Sequence, residues 1–383
     1  MRPLSAGETA VICPAEEPGT LEKTFVAVDE PRPGTAWQRH FETGWPSVKA
    51  WYLKEGLASR PTPAEGRDAL TRHMPELLAI YDGLCDLAGT DEVAHRMLSG
   101  YNPPPVVAAC SAAAWTRRGG PALVRNYDFD VAFTTGCIES TRWLGRRVIA
   151  MREAAWGCLD GMNEDGLVVS LTFGGRLAQG RGFAMPLVLR YVLETCRTVG
   201  EAVATIARIP VSMAQNVLVL DGSGRLATVF VGADRDAAVS AEAVCTNHQE
   251  TVVWPEFAVA SRTLERHACL AARLGDPAMT LDALVAGMLA PPLYALDGTR
   301  GFATVYTAVY RPAEGMVDYV WPGRRWRQSF DHFDAGTYTH RYVALNAHAP
   351  ALSVNTRLPS RRPSPSPRER GTLQLPRPRR GRG

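Results

Sequence analysis

Apolar residues in the first third of the chain recur at helical spacing, as in Leu70, Met74 and Leu77, which is the spacing of one helix face. The pattern predicts helices over 35–57, 62–89 and 91–101, after one strand over 23–31. Thr62 followed by Glu65 predicts a capping box at the start of the second helix. Because proline cannot continue a helix, the prolines at 103–105 predict the end of this helical part.

From residue 106 onward, short apolar runs are separated by turn residues, which is typical of strands. The strand-like runs lie at 106–116, 121–129, 146–156, 166–173, 214–232 and 302–323, and the last two read as hairpins. Helical stretches interrupt them at 184–199, 200–209, 254–275 and 280–290. Strands from both ends of this region, with helices grouped between them, predict an α+β fold of two sheets covered by helices.

Charge is distributed unevenly along the 383 residues. The segment 357–383 carries nine arginines and one glutamate, so the other 356 residues have a net charge of −5 although the whole chain has +3. Residues 351–383 are rich in proline, arginine and serine, which predicts a disordered, solvated tail. No aromatic residues interleave its arginines, which argues against recognition of single-stranded nucleic acid.

Several classes of protein find no support in the sequence. The first residues lack the apolar core of a secretory signal, and no apolar run approaches the ~18 residues that span a bilayer. The eight cysteines stand singly, without CxxC pairs, which favours a reducing cytoplasm over a zinc site or a disulfide framework. No nucleotide-binding glycine motif is present, so we expect a cytoplasmic protein without membrane segment, metal or cofactor.

Cys110 is the first candidate for chemistry. It stands among alanines and a serine, with Arg125 fifteen residues later and Asp128 three further on. A hairpin of this length can bring both charges beside the thiol, where an arginine favours the thiolate and Asp128 could hold an amine. The alternative is a small buried thiol without a role, because free cysteine is often buried.

Three further polar clusters follow apolar runs, at 161–175, 245–249 and 260–267. Turn formation is an alternative explanation for each, because asparagine and glycine dominate turns. His248 next to Asn247 leaves open a papain-like pair of cysteine and histidine. Adjacent side chains on a strand point to opposite faces, which argues against His248 and Asn247 serving one site.

Taken in order, the stretches ACS, VRNYDFD, LDGMNEDGLVVSLTF, TNHQ and SR resemble the isopenicillin-N acyltransferase-like family of cysteine N-terminal-nucleophile hydrolases. Relatives of this family are the bile-salt hydrolases, penicillin V acylases and acid-ceramidase-type amidases. The resemblance covers residues 24 to 345. It implies a four-layer αββα sandwich and a precursor that is cleaved between Ala109 and Cys110.

The resemblance also implies a role for each matching residue. Cys110 would be the nucleophile, Asp128 would hold the new α-amino group, and Arg125 would lie against the thiolate and substrate. The physical argument agrees, because a thiol with a pKa of ~8.5 needs a base and an α-amine with a pKa of ~7.7–8.0 can serve. No catalytic histidine is then required.

Five other positions carry an implied role or a departure. Asn247 would be an oxyanion donor and Arg262 a further polar support, and the backbone N–H of Thr172 or Phe173 would complete the oxyanion hole. The acyltransferase members usually have glycine before the cysteine, whereas this chain has Ala109. Alanine lacks the φ freedom of glycine, and we expect a tight, strained turn at the cleavage site.

The resemblance implies a leader over 1–109 that stays bound to a catalytic domain over 110–350, with the tail 351–383 beyond. The expected function is a self-processed cysteine amidase that hydrolyses a linear, non-peptide C–N amide through an acyl-thioester. One alternative is an acyltransferase that moves an acyl group, for example from acyl-CoA, to an amine. Another is an uncleaved, non-catalytic relative that acts through its arginine-rich tail.

The expected partners are a small acyl-amide substrate and the chain's own two fragments, and the sequence is compatible with a homo-oligomer. A glycine- and arginine-rich loop at 174–183 follows the proposed oxyanion strand. Arg176 or Arg181 could there meet a carboxylate of the substrate. A solvated loop is the alternative, because loops favour glycine for conformational reasons.

Overall fold

The computed structural model describes residues 21–295 and 303–342. The predicted tail over 351–383 lies outside these ranges, as do residues 1–20 and the last residues of the predicted catalytic domain. Among the helices within these ranges, none is both long and apolar enough to cross a bilayer.

The described residues form two β-sheets. The strands are β1 (Glu22–Asp29), β2 (Ala109–Trp115), β3 (Ala122–Phe129), β4 (Cys137–Thr141), β5 (Val148–Glu153), β6 (Gly157–Asn163), β7 (Val168–Phe173), β8 (Gln215–Leu220), β9 (Leu226–Gly232), β10 (Arg235–Ser240), β11 (Val244–Cys245), β12 (Ala303–Arg311), β13 (Met316–Trp321), β14 (Arg324–Ser329) and β15 (Gly336–Arg341). The larger sheet has the order β10-β9-β8-β7-β6-β5-β4-β1-β15, and the smaller has the order β11-β2-β3-β12-β13-β14.

Helices precede the sheets and cover them. They are α1 (Thr35–Tyr52), α2 (Pro63–His73), α3 (Leu78–Ala88), α4 (Glu92–Leu98), α5 (Met185–Thr195), α6 (Val199–Arg208), α7 (Pro255–Ser261), α8 (Thr263–Gly275) and α9 (Leu281–Met288). Helix α5 lies directly on the larger sheet: a Cβ added at Gly161 of β6 would stand 2.7 Å from the Leu193 side chain. Leu270 of α8 and Leu284 of α9 pack on Val124 of the smaller sheet.

The two sheets pack face to face, with helices on both outer faces. Alternate residues of β2 divide between the two sides, because side chains of a strand alternate. Ala113 belongs to the cluster under α8 and α9, whereas Ala112 joins the main core with Val168 of the larger sheet. The layers therefore follow the order helix, sheet, sheet, helix, and the predicted four-layer αββα sandwich is confirmed.

The segment before Cys110 is built into this sandwich. Strand β1 lies between β4 and β15, pairing parallel with β4 and antiparallel with β15. Phe25 of β1 is completely buried, and Trp37 of α1 donates its indole N–H to the Ala155 carbonyl at 3.0 Å. The predicted leader thus contributes a strand as well as helices.

Several predicted boundaries were wrong for identifiable reasons. The helix predicted over 62–89 is divided, because Pro75 follows the end of α2 and opens a short 3₁₀ turn before α3. The predicted capping box of Thr62 and Glu65 is confirmed. The helix predicted over 254–275 breaks at Arg262, whose φ of 52° is left-handed.

Strands β4, β6, β10, β11, β14 and β15 were not predicted. In β6 the apolar signal is weak, because Asp160 and Asn163 are completely buried polar residues. They resemble turn residues in the sequence, but both sheet partners of β6 and the overlying helix exclude water from them.

The placement of β1 predicts the behaviour of the cleaved protein. If the chain breaks before Cys110, residues 1–109 should co-elute with the remainder in size-exclusion chromatography at neutral pH, because β1 keeps its hydrogen bonds to two strands. Separation of the two fragments should require denaturant. Elution of the leader by itself in native buffer would contradict this prediction.

Candidate active site

The register of the β2–β3 hairpin assembles the centre of the site. Cys110 stands opposite Tyr127, and Ala109 stands opposite Asp128. The side chains of Cys110 and Arg125 fall on the face between the sheets, while that of Asp128 falls on the face under α8. The peptide bond before Cys110 is therefore flanked by functional groups on both faces of one sheet.

The Cys110 thiol is held by an arginine in a dry environment. Cys110 is only 2% exposed, and its Sγ accepts a hydrogen bond from Nη2 of Arg125 at 3.3 Å. Burial raises the pKa of the Cys110 thiol, and the guanidinium of Arg125 opposes that rise. In the intact chain Cys110 is therefore a protonated thiol, and a base has to remove its proton before attack.

Arg125 is in turn fixed by a carboxylate of the other sheet. Its Nη1 donates to Asp160 Oδ2 at 2.5 Å and to the Leu159 carbonyl at 2.9 Å. Tyr306 and Tyr310 donate their hydroxyls to the same carboxylate. Asp160 was not singled out in the sequence, although it lies in the matching LDGMNEDG stretch. A buried acid opposite a buried arginine orients that arginine toward the thiol.

A second guanidinium, that of Arg266 on α8, reaches the other side of the same peptide. It donates to the Cys110 carbonyl, to Ser111 Oγ at 2.7 Å and to Asn247 Oδ1 at 2.6 Å. Its Nη1 also lies 3.4 Å from Asp128 Oδ2. Sequence reasoning missed Arg266, which lies in the cluster at 260–267 from which Arg262 was chosen.

Asn247 bridges the backbone around the expected cleavage site. Its Oδ1 accepts from the Cys110 backbone N–H at 2.8 Å and from Arg266. Its Nδ2 donates to the Phe173 carbonyl at 3.1 Å and to the Ala108 carbonyl at 3.4 Å. Two donors on one side and two acceptors on the other fix the orientation of this amide. The NH₂ group therefore faces the leader side of Cys110.

Asp128 lies beside the peptide, as the spacing predicted. Its Oδ1 accepts from the Thr304 hydroxyl at 2.7 Å, and its other oxygen faces Arg266. Burial raises the pKa of the Asp128 carboxyl, while Arg266 and the Thr304 hydrogen bond oppose that rise. A cationic amine released at Cys110 would supply further positive charge to this carboxylate.

The two backbone positions proposed for the oxyanion hole differ in the direction of their N–H groups. Gly174 donates to Ala214 in the β7–β8 ladder at 3.0 Å, and hydrogen-bonded pairs alternate along antiparallel strands. The preceding hydrogen-bonded pair is therefore Thr172 with Asn216, which commits the Thr172 N–H to β8. Phe173 faces the opposite way, toward Asn247. The geometry favours Phe173 over Thr172.

Three arginines from the sequence analysis have partners of their own. Arg262 forms an ion pair with Glu265, so the polar support expected from Arg262 comes instead from Arg266. Arg262 is itself the left-handed residue between α7 and α8, and this conformation turns its side chain outward. Arg176 binds Asp234 and Gln249, and Arg181 lies 3.1 Å from Glu65.

His248 occupies a different environment from Cys110. Its Nδ1 lies 2.9 Å from the Thr263 hydroxyl, and its ring lines a cavity of about 320 Å³ together with His267 and Glu242. Burial lowers the pKa of His248. The structure brings Asn247 to Cys110 and turns the neighbouring His248 into this cavity, which weakens the alternative of a Cys–His pair.

The expected strained turn at the cleavage site was wrong. Ala109 and Cys110 begin the regular strand β2, in pairs with Asp128 and Tyr127. In the described ranges, the non-glycine residues with positive φ are Asn102, Ala154, Ala155 and Arg262. Alanine adopts strand dihedrals freely, so Ala109 fits this position without strain.

Comparison with known proteins gives one family and a set of similar structures. The profile of the family described as acyl-coenzyme A:6-aminopenicillanic acid acyl-transferase matches residues 115–326. No curated protein matches the chain significantly.

Three solved structures illustrate the similarity. A mutant conjugated bile acid hydrolase from Clostridium perfringens has 13% identity and a TM-score of 0.40, over 61% of this chain and 97% of that one. The N-acylethanolamine-hydrolyzing acid amidase ortholog from Caenorhabditis elegans has 18% identity and a TM-score of 0.41, over 60% of this chain and 98% of that one. Penicillin V acylase from Agrobacterium tumefaciens has 13% identity and a TM-score of 0.43, over 63% of this chain and 94% of that one.

The buried ion pair predicts a stability effect. Asp160→Asn should lower the free energy of unfolding by about 3–5 kcal/mol, because it leaves the Arg125 charge uncompensated in the core. Asp82→Asn is the matched control, since the Arg67–Asp82 pair is exposed on both sides and should contribute little. Denaturant titration of both variants in a Cys110→Ala background measures the difference. Equal losses in the two variants would contradict a structural role for Asp160.

Proposed function

The chain belongs to the acyl-coenzyme A:6-aminopenicillanic acid acyl-transferase family, whose profile spans more than half of it, and on this basis we propose that it is a self-cleaving cysteine amidase. The observation that carries the proposal is the environment of the Ala109–Cys110 peptide. Arg125 holds the thiol on one face of the sheet, and Arg266, Asn247 and Asp128 surround the backbone on the other.

The first reaction is cleavage of the chain itself. Cys110 Sγ attacks the Ala109 carbonyl carbon, a C–S bond forms, and the C–N bond to Cys110 breaks. The thiol proton ends on the released Cys110 nitrogen, which becomes an amine. Water then hydrolyses the thioester, giving a carboxylate on Ala109 and restoring the thiol. The products are a leader of residues 1–109 and a chain that begins with Cys110.

The new amine becomes the base for later turnovers. In the intact chain the Cys110 nitrogen donates to Asn247 Oδ1, and Asp128 lies across the ladder from Ala109. An α-amine kept between these groups has a pKa of about 7.7–8.0 before perturbation, which suits proton transfer from a thiol near neutral pH. Nucleophile and base then belong to one residue.

Charge on the reacting carbonyl is stabilised by fixed donors. The Nδ2 of Asn247 faces the leader side of Cys110, and the Phe173 N–H faces the same region. Together they form the oxyanion hole. In the intact chain Asn247 Nδ2 donates to the Ala108 and Phe173 carbonyls, so it becomes available to the oxyanion when the Ala108 carbonyl moves away. A donor already fixed near the reacting carbonyl then stabilises the developing charge. Arg125 keeps the sulfur in place and favours its ionised form.

The second half-reaction consumes an acyl-thioester on Cys110. Attack by water gives a free acid and completes an amidase cycle, whereas attack by an amine gives acyl transfer, the reaction in the family's description. We favour water, because it suffices unless the site excludes it. The cleaved leader remains as a second subunit.

The cysteines support a location in the cytoplasm. All eight stand singly in the sequence, a usage typical of a reducing compartment. We therefore place the protein in the cytoplasm.

The proposed function is tested by trapping the acyl-enzyme. Purified protein is exposed to a set of N-acyl amines, quenched in acid and digested, and the peptide beginning at Cys110 is weighed. We expect an added acyl mass that is lost when the protein is left at neutral pH before the acid quench, and faster loss with an added amine if transfer dominates. An adduct on another residue, or turnover by Cys110→Ala, would refute the assignment.

Asn247→Asp should separate the two functions of this side chain. The aspartate keeps an oxygen for the Cys110 nitrogen and Arg266 but loses the NH₂ donor. We expect kcat to fall by about 10²–10³ with little change in KM, and Asn247→Ala should show a loss at least as large. Steady-state kinetics on the best substrate measure both. A near-normal kcat in Asn247→Asp would remove the side chain from the oxyanion hole.

A further inference from the structure

A small apolar cluster adjoins the reacting peptide and is separate from the main core. Phe173, Met213 and Phe257 form its buried part, with Trp254 and Val107 packed against them. The Phe173 ring meets Phe257 edge-on with centroids 5.1 Å apart, and Trp254 stacks on Phe257 at the same centroid distance. We refer to Phe173, Met213, Phe257 and Trp254 as the aromatic cluster.

The aromatic cluster touches the catalytic groups through Phe173. The carbonyl of Phe173 accepts from Asn247, whose amide also contacts the Ala108 carbonyl and the Cys110 nitrogen. The backbone of Phe173 therefore belongs to the site where the acyl carbonyl reacts, while its side chain forms the part of the cluster next to that site. A group attached to that carbonyl has a direct path into the cluster.

In the intact chain the end of the leader occupies this place. The Val106 N–H donates to Met213 Sδ at 3.4 Å, the Val107 side chain packs into the cluster, and Ala108 is bound by Asn247. Val106 itself is 38% exposed, so the leader covers the cluster as a single layer of chain at the surface. Trp254 is half-buried, which places the mouth of the cluster at the same surface.

The chemistry links this occupant to the substrate. In self-cleavage, the thioester on Cys110 carries the leader as its acyl group, with Val107 and Ala108 on the carbon side of the carbonyl. In amide turnover, the Cys110 sulfur forms the same bond to the substrate carbonyl, and the C–N bond to the leaving amine breaks as that amine takes up the proton. Both thioesters share the sulfur and the oxyanion donors, so their acyl groups extend in the same direction.

We propose that the aromatic cluster is the acyl-binding subsite, that Val107 is its first occupant, and that the enzyme takes amides of uncharged, medium-length acyl groups. This rests on the proposed function. The Cα of Val107 is the seventh backbone atom beyond the Ala109 carbonyl carbon, a path of roughly 8 Å when extended. An octanoyl chain has the same number of atoms beyond its carbonyl, whereas an acetyl group ends before the cluster.

The cluster also excludes a charged acyl group. Its side chains are apolar, and burying an unpaired carboxylate among them is unfavourable. Val253, which precedes Trp254 in the chain, is 61% exposed and adds an apolar side chain beside Trp254. The arginines of the neighbouring loop are engaged with Asp234 and Glu65 and do not supply a carboxylate site inside the cluster.

The test compares three amides of 7-amino-4-methylcoumarin, with octanoyl, acetyl and glutaryl groups, on the full-length preparation. We expect kcat/KM to be at least about tenfold higher for octanoyl than for the other two. Phe257→Ala should lower octanoyl turnover by about 10- to 100-fold and change acetyl turnover less than threefold. Val259→Ala, an exposed position on the same helix, is the matched control and should change neither.

A second pair of measurements tests the subsite independently if Phe257→Ala folds poorly. Met213→Glu places a charge in the cluster and should cause the same selective loss. In unaltered protein, octanoate should protect Cys110 from iodoacetamide while glutarate should not. Equal or faster turnover of acetyl or glutaryl amide, or no protection by octanoate, would overturn the subsite while leaving the amidase intact. Failure to hydrolyse any of the amides would overturn the proposed function and the subsite with it.

Discussion

The pairing register of β2 with β3 is the constraint on which the site depends. A shift of β2 by one residue would exchange the two faces of that strand, sending Cys110 toward the helices while Arg125 stayed between the sheets. In the observed register, Cys110 shares the inner face with Arg125, and the backbone beside it is open to Asn247 and Arg266. The hairpin thus separates the thiol from the groups that handle the peptide.

Buried charges make this arrangement rigid. Arg125 pairs with Asp160 across the sandwich, and Arg266 binds Asp128, Asn247 and backbone oxygen. Each guanidinium is buried, and an unpaired charge there is strongly unfavourable. The two arginines consequently cannot leave their partners, and they hold the Ala109–Cys110 peptide between them. Stability and reactivity rest on the same contacts.

The sequence identifies the parts of the site that depend on local spacing. Cys110, Arg125 and Asp128 lie on one hairpin, so strand alternation is enough to bring them together. Arg266 depends on where a helix breaks: only the left-handed turn at Arg262 decides which of two arginines faces inward. In the sequence Asp160 resembles a turn residue, because its burial by two strands and a helix depends on the tertiary fold. The choice of Phe173 over Thr172 depends on which residues of β7 are hydrogen-bonded to β8. The sequence around these two residues does not show this.

The account stands or falls on whether the chain cuts itself before Cys110. Intact mass and N-terminal sequencing of purified protein measure this directly. The account predicts two fragments, one of them beginning Cys-Ser-Ala-Ala-Ala, and a single chain of 41.7 kDa for Cys110→Ala. Wild-type protein that hydrolyses amides while remaining a single 41.7 kDa chain would contradict it, because the free α-amine would then be excluded as the base.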